Sequence, residues 1–411
     1  MMLLPAALAA FRVRSFRFQW PADLLISWAI EMEMLILGWY VLVETGSVLL
    51  LTLFASLLYI GTLVAPMMGV IGDRVGHRTV LFATRTSYMV LAATIASLSF
   101  AGMLSPVYVF IAASLAGLLR TSDIGVRSAL VAATVPPYFL IGAMSISRTT
   151  ADSARIMGAL TGAGLFVAFG MGPAYVAITC FYALGTMLLF GAGPESKPAA
   201  GAPHTSPWRD LLAGIAYIWN APRLLAAMWL AFLINMCAFP LVTGLMPHVA
   251  KSVYGTDQTG FGYLVASLAA GALCGSIALS IAGERMRVER IMIASMVAWY
   301  VSLIAFGQVN DMTVGIGCLF IIGVAQGGCM VTLAVILLRT AAPQYRGRVM
   351  GVRMLAIYGN PVGLLAAGVL IERIGYAATA FAYGAVGLVF TFIVLLHWRV
   401  AVFPARAPSA S

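Results

Sequence analysis

Residues 312–338 read MTVGIGCLFIIGVAQGGCMVTLAVILL, an apolar stretch without a charged side chain. A helix needs roughly 20 consecutive apolar residues to cross the hydrocarbon core of a bilayer. This stretch is long enough, and similar stretches follow one another along the 411 residues of the chain. Charged residues make up only 9% of the sequence, against about 25% in a soluble globular domain. We therefore expect an all-α integral membrane protein.

Polar residues, glycines and prolines divide the sequence into twelve candidate transmembrane helices, called spans one to twelve here. An even number of spans places both termini on the same side of the membrane. The spans lie near residues 22–43, 48–70, 79–101, 106–132, 139–169, 173–193, 224–246, 258–282, 289–308, 312–338, 350–371 and 376–398.

The net charge of +10 does not indicate a nucleic-acid partner, because the basic residues are scattered between apolar segments. Most loop arginines fall on the side of the N-terminus, and the opposite side keeps only Lys251 and Arg373. Loops rich in lysine and arginine stay in the cytoplasm. We therefore expect an inner-membrane protein with both termini cytoplasmic, and a retained cytoplasmic segment over residues 1–20.

The cysteines and histidines are isolated from one another, so we expect no metal site and no cofactor. A membrane enzyme would need a nucleophile with its base, and the sequence offers no such pair. A channel would need rings of pore-lining groups, which a single pseudo-symmetric chain does not obviously supply. We expect a monomer whose partners are a small-molecule substrate, protons and the lipid bilayer.

Residues 194–207 are rich in proline, alanine, glycine and serine, a composition typical of a linker. Apolar residues then recur at helical spacing from Trp208 to Ile218, which predicts an interfacial helix. Two six-helix repeats are typical of secondary transporters, whose substrate site lies near the membrane midplane between the repeats. The predicted segments are an N-terminal bundle (1–193), a linker with the interfacial helix (194–222) and a C-terminal bundle (223–411).

Residues 69–78 (GVIGDRVGHR) resemble the loop motif G-x-L-x-D-R-x-G-R-K/R of the major facilitator superfamily, apart from His77 at a preferred basic position. The resemblance implies twelve transmembrane helices in two pseudo-symmetric six-helix bundles. Glycines let helices approach closely, and an aspartate can accept hydrogen bonds from a helix N-terminus and from arginine. We expect this loop to latch the two halves in one state. The latch residues are Gly69, Asp73, Arg74, Gly76 and Arg78.

Four other segments resemble the enterobactin-exporter and macrolide-efflux group of that superfamily: residues 45–47, 154–158, 208–214 and 346–351. This implies proton-coupled transport of a small amphipathic molecule, such as a drug or a siderophore, by alternating access. Proton antiporters often carry G-P-x-x-G-G in span five, whereas residues 158–163 read GALTGA. The incomplete motif weakens the indication of antiport. Export stays the leading direction because of the resemblance to the exporter group. The alternatives are proton-driven uptake by a permease and a non-transporting receptor.

Charged residues inside the spans are concentrated in the first half of the chain. An ionisable side chain in the bilayer core is costly and needs a partner or a function. Because spans four and five are antiparallel, Asp123 and Asp152 lie at matching depth, each on a helix face with arginines. The cluster is either structural or takes part in binding substrate or protons. Its arginines are Arg120, Arg127, Arg148 and Arg155.

Glu31 and Glu33 lie near the middle of span one, with no base at helical spacing. They point roughly 200° apart at about 100° per residue, so they cannot face the same cavity. Glu31 shares a polar or small face with Asp23, Ser27 and Gly38. We favour Glu31 as the cavity-lining residue that carries the coupling proton, against simple pairing with an arginine of span five. The candidates for proton coupling are Glu31, Glu33, Asp123 and Asp152.

The second half is nearly free of charges inside its spans. Its main polar candidates are Asn235, Gln326 and Asn360, which could contact substrate or form hydrogen bonds between helices. Pro240 and Pro361 are expected to kink their helices.

Overall fold

The computed structural model describes residues 10–63, 75–192, 207–282, 288–342 and 345–398, and their regular structure is helical. The first half contains α1 (Arg14–Thr45), α2 (Val48–Leu57), α3 (His77–Phe100), α4 (Pro106–Thr134), α5 (Pro137–Phe169) and α6 (Met171–Leu188). The second half contains α7 (Pro207–Trp219), α8 (Pro222–Cys237), α9 (Gln258–Ala282), α10 (Val288–Phe306), α11 (Met312–Thr340), α12 (Arg346–Ala356) and α13 (Gly359–His397). Short helical turns fill part of the segment between α8 and α9.

Within the described residues, nine helical stretches are long and apolar enough to cross a membrane. The last stretch covers α12 and α13 and contains two predicted spans, which meet near Gly375, where φ is 81°. The 33-residue helix α5 is not among the nine, and it carries Arg148, Asp152 and Arg155. The predicted all-α membrane fold is confirmed, and the exact count of twelve spans stays a prediction.

The first helix begins at Arg14, earlier than the start near residue 22 that hydropathy predicts. Its extension is amphipathic, and a short amphipathic turn produces no apolar run in the sequence. Phe16 is fully buried there in a cluster with Val131 and Ala143, at the turn between α4 and α5. Packing against this turn therefore stabilises a helical turn that the apolar pattern alone does not indicate.

The chain folds into two compact units. Unit 1 comprises residues 1–204 and 246–269, and unit 2 comprises residues 205–245 and 270–411. In unit 1, Trp39 of α1 stacks on Phe261 of α9, with ring centroids 5.9 Å apart. The segment 246–269 thus packs with helices of the first half although it follows the linker in the sequence. The predicted boundaries after residues 193 and 222 stay predictions.

In unit 1, glycines allow α4 to approach the end of α2 closely. A Cβ atom added to Gly117 would lie 3.0 Å from the Leu58 Cα and would overlap the Leu57 carbonyl oxygen. Gly61, on the facing segment, is enclosed in the same way by Leu118. Only glycine permits this separation, because the opposing atoms belong to the backbone and cannot rotate away.

We expect Gly117→Val to lower the melting temperature of the detergent-purified protein, at a cost of about 1–3 kcal/mol. The added side chain would force α2 and α4 apart. The matched control is Gly125→Val in the same helix, where an added Cβ meets no atom within 4 Å. Equal melting temperatures for the two variants would contradict the close crossing.

In unit 2, α8 ends at Cys237, and Pro240 lies in the first turn of the short helix Phe239–Val242 that follows. This break agrees with the kink predicted at Pro240. The backbone of α8 then meets α13 closely, because a Cβ atom on Gly359 would lie 2.8 Å from the Phe232 carbonyl oxygen.

A helix, α7, directly precedes α8 where the sequence predicts an interfacial helix, and its position at the membrane interface stays a prediction. Gly214 of α7 packs against Arg348 and Val352 of α12. Leu212 and Trp219 are 61% and 68% exposed, so an apolar edge of α7 remains uncovered by the protein. Such an edge fits the apolar boundary of a bilayer.

Part of the predicted latch lies outside the described residues, namely Gly69, Asp73 and Arg74, and so does most of the linker. Gly76 has a φ of 98°, a conformation that favours glycine. Arg78 donates a hydrogen bond to the carbonyl oxygen of Phe190, at 2.6 Å.

Candidate functional site

The interior of unit 1 holds most of the candidate residues, and α1 contributes them on two faces. One face carries Asp23, Ser27 and Glu31, spaced four residues apart and therefore stacked along the helix. Each of these side chains meets an arginine from a different helix, on α3, α4 and α5 respectively. The contacts are the Asp23–Arg85 ion pair, the Ser27–Arg127 hydrogen bond (3.1 Å) and the Glu31–Arg155 ion pair (3.7 Å).

Arg85 of α3 joins two acids in the core of unit 1. It forms an ion pair with Asp23 of α1, and its Nε atom lies 3.6 Å from Oδ1 of Asp123 on α4. The Arg85 side chain is 0% exposed, and both aspartates are buried. Charges at such depth are held only with opposite charges close by, because their desolvation is costly. The three residues, called the Arg85 triad below, therefore connect three helices.

The sequence pattern does not indicate Arg85 as a site residue. It groups Asp123 with the arginines of its own helix and of span five. A signal was present, since Arg85 is a charged residue within the predicted span 79–101. A charge inside a span needs a partner, and this rule indicates Arg85 as well.

Glu31 lies between two arginines, one from α4 and one from α5. Its Oε1 atom is 3.9 Å from Nη2 of Arg120 on α4 and 3.7 Å from Nε of Arg155 on α5. The Glu31 side chain is 18% exposed. This carboxylate therefore bridges α4 and α5 through two positive charges.

Glu33 faces a different environment, formed by tyrosines. The Tyr182 hydroxyl of α6 donates a hydrogen bond of 2.8 Å to its Oε2 atom. Tyr175, also on α6, is fully buried and interacts electrostatically with the same carboxyl group. The ring of Tyr88 on α3 stacks on Tyr182, with centroids 5.5 Å apart. The sequence pattern treats tyrosines within apolar spans as apolar residues, so it does not indicate Tyr88, Tyr175 and Tyr182 as site residues.

A small cavity in unit 1 lies beside Glu33 and is called the Glu33 cavity below. Its polar lining comes from Glu33, Tyr88, Arg120 and Tyr182, and the rest of its lining is almost entirely apolar, including Met34. The volume of the cavity that is open to the centre of a water-sized sphere is about 20 Å³. Glu31 does not line this cavity.

The other charged candidates lie near these groups. Asp152 is buried and interacts electrostatically with Arg155. The backbone carbonyl of Arg127 accepts a hydrogen bond of 3.1 Å from Gln19 of α1. The side chain of Arg148 lies outside the described part of the structure.

The three polar candidates of the second half belong to unit 2. Asn235 donates a hydrogen bond to the Ala231 carbonyl of its own helix, at 2.9 Å. Gln326 and Asn360 are buried, and among the described residues their side-chain oxygens have no hydrogen-bond donor. Among the described residues, no hydrogen bond joins Asn235, Gln326 and Asn360 into one cluster.

The arrangement separates two kinds of acid. Asp23, Asp123 and Glu31 are held by arginines, whereas Glu33 is hydrogen-bonded to a neutral hydroxyl. A carboxyl group of the second kind can gain or lose a proton without breaking an ion pair. Among the described residues, no group of histidines, cysteines and acids is placed to hold a metal ion.

The sequence matches the family model described as Major Facilitator Superfamily over residues 22–356 and 250–411. It is 25% identical over 324 residues to the uncharacterized MFS-type transporter YuxJ of Bacillus subtilis, covering 78% of this chain and 80% of that protein. It is 26% identical over 217 residues to the multidrug efflux pump Tap of Mycolicibacterium fortuitum, covering 50% of each chain.

Two solved structures show the same fold at low sequence identity. The nucleoside transporter NupG superimposes with a TM-score of 0.69 at 14% identity, covering 95% of this chain and 100% of that one. A D-xylose–proton symporter superimposes with a TM-score of 0.73 at 11% identity, covering 92% of this chain and 96% of that one.

Proposed function

Because the chain belongs to the Major Facilitator Superfamily and is a multi-pass membrane transporter rather than an enzyme, we propose that it exports a small amphipathic molecule in exchange for protons. The two halves would alternate access to a substrate site near the membrane midplane. Export is favoured by the similarity to Tap, which is named a multidrug efflux pump and matches about half of this chain. The finer resemblance to the enterobactin-exporter and macrolide-efflux group is part of this proposal.

The observation that carries proton coupling is the environment of Glu33. It lines a cavity, and its hydrogen-bond donor is the neutral hydroxyl of Tyr182. Glu31, which the sequence pattern favours, is held by Arg120 and Arg155. Protonating Glu31 would remove the anion that Arg120 and Arg155 share, whereas protonating Glu33 leaves its hydrogen bond available. We therefore assign the coupling proton to Glu33 first and to Glu31 second.

The arginines of α4 and α5 serve a second role in this proposal. Arg120 and Arg155 balance Glu31 when no substrate is present, and both are partly exposed. A polar group of the substrate could replace one of these contacts. Asn235, Gln326 and Asn360 are the candidate contacts from the second half of the chain. We also propose that the loop with Asp73 latches the two halves in one state. The protein would be a monomer in the inner membrane, with both termini in the cytoplasm.

Proton-driven uptake remains the second candidate function. Residues 158–163 lack the proline and the last glycine of the antiporter motif described above. A catecholate siderophore is the substrate class for this alternative, and a receptor that binds without transport is the third candidate.

Inside-out membrane vesicles that contain the overproduced protein are expected to accumulate ethidium when respiration acidifies their lumen. A protonophore should release the dye, because the proton gradient would be the only source of energy for its accumulation. Vesicles from cells without the protein are the control. Tetracycline and enterobactin, offered in parallel, test a zwitterion and an anion.

The opposite direction would be shown by uptake into right-side-out vesicles under an inward proton gradient, and would establish a permease. Binding of one of these three compounds to the purified protein, without its movement in either kind of vesicle, would support the receptor.

A further inference from the structure

The hydroxyl group of Tyr88 is a buried polar group that the proposed function does not yet use. Tyr88 lies on α3, three residues after Arg85, and is 3% exposed. Among the described residues, no hydrogen-bond partner reaches its hydroxyl oxygen. Buried hydroxyl groups in native proteins nearly always have a partner in the protein or an ordered water molecule. Tyr88 lines the Glu33 cavity, so a partner within that cavity would complete its hydrogen bonding.

The size and lining of the Glu33 cavity suit a single water molecule. A site needs at least about 10–15 Å³ of space for the centre of a water-sized sphere, and two to four polar neighbours. The Glu33 cavity provides about 20 Å³ and four polar side chains.

We propose that the Glu33 cavity binds one water molecule shared by Glu33 and Tyr88, and that this water supports the gain and loss of the coupling proton at Glu33. This inference rests on the proposed function in taking Glu33 as the proton carrier. It adds a bound water molecule and a residue, Tyr88, that positions this water.

The water can satisfy both protonation states of Glu33. When Glu33 is ionised, the Tyr88 hydroxyl donates a hydrogen bond to the water oxygen, and the water donates one to the carboxylate. When Glu33 is protonated, its O–H group donates to the water oxygen, and the water donates to the Tyr88 oxygen. Neither arrangement disturbs the ion pairs of the Arg85 triad.

The groups around this water site come from four helices. Arg120 is the positively charged residue that lines the cavity. The titratable and charged groups are Asp23 and Glu33 of α1, Arg85 and Tyr88 of α3, Arg120 and Asp123 of α4, and Tyr175 and Tyr182 of α6.

Infrared difference spectroscopy on the purified protein tests the water site without any transported compound. A pH step should produce a carboxyl C=O band that Glu33→Gln removes, together with a water O–H band that shifts in H₂¹⁸O. Tyr88→Phe should abolish the H₂¹⁸O-sensitive band and shift the Glu33 band. The control is Tyr300→Phe, which removes another buried hydroxyl, in unit 2, and should leave both bands unchanged. An H₂¹⁸O-sensitive band that persists in Tyr88→Phe, or is absent from the unmodified protein, would overturn the water site.

The role of the water in coupling is tested in liposomes with ethidium. Tyr88→Phe should slow ethidium accumulation driven by an imposed pH difference about tenfold, the effect of losing one hydrogen bond of typical strength. Ethidium–ethidium exchange, which needs no net proton movement, should stay within about twofold of its original rate. Equal slowing of both processes would show that Tyr88 is only structural. If the unmodified protein moves no ethidium but shows the infrared signature, export of this dye is wrong while the water site stands.

Discussion

Replacing Arg85 by methionine is expected to destabilise the protein by roughly 3–5 kcal/mol, the usual cost of removing one partner from a buried ion pair. The arginine is fully buried between Asp23 and Asp123, and neither aspartate is exposed enough to be solvated by water. Methionine fills a similar volume, so the loss would come from the charge rather than from a cavity. The measurement is the melting temperature in detergent, without substrate.

The control for this prediction is Arg290→Met, because Arg290 is exposed. Its melting temperature should stay close to that of the unmodified protein, since exposed substitutions usually change stability by less than about 0.5 kcal/mol. Adding Asp23→Asn and Asp123→Asn to Arg85→Met should recover part of the lost stability, because the variant then buries no unpaired charge. An Arg85→Met variant as stable as Arg290→Met would show that the triad is not an electrostatic unit.

The second large effect concerns Glu33, whose replacement by glutamine should abolish ethidium accumulation driven by a pH difference. Glutamine can accept the hydrogen bond from Tyr182 but cannot release a proton. Ethidium–ethidium exchange should therefore continue while accumulation stops. Both processes are measured in the same liposomes, so a loss of protein would reduce them together.

Glu31→Gln is the matched variant, two residues away on the same helix. It should keep pH-driven accumulation but lower the melting temperature, because Arg120 and Arg155 would lose their shared anion. The reverse result, with coupling lost in Glu31→Gln and kept in Glu33→Gln, would support the assignment that the sequence pattern favoured.

Comparison of Glu31 and Glu33 shows what the sequence pattern predicts about an acid inside a span and what it does not. Helical periodicity alone places Glu31 with Asp23 and Ser27 and places Glu33 on another face, and the structure shows two such environments. Helical periodicity does not reveal that the face with Glu31 meets arginines and the face with Glu33 meets tyrosines. The reason is that the neighbours of α1 are supplied by other helices, whose rotation is set by packing.

The class of fold and the superfamily follow from the amino-acid sequence alone. Most spans are recognisable from their own apolar residues, because a helix in a bilayer satisfies its backbone hydrogen bonds internally and needs no neighbour. The loop motif at residues 69–78 then indicates the superfamily that the family match supports.

The pairing of charges, in contrast, depends on tertiary packing. Arg85 pairs with Asp23 across 62 positions of the sequence, and Tyr182 reaches Glu33 across 149. Spacing along one helix gives the face of a residue, and distance from a turn gives its depth, but neither gives the lateral order of the helices. That order depends on close contacts such as the one between Gly117 and Leu57, where backbones rather than charged side chains determine the distance. Whether an acid meets arginines or tyrosines follows from this packing.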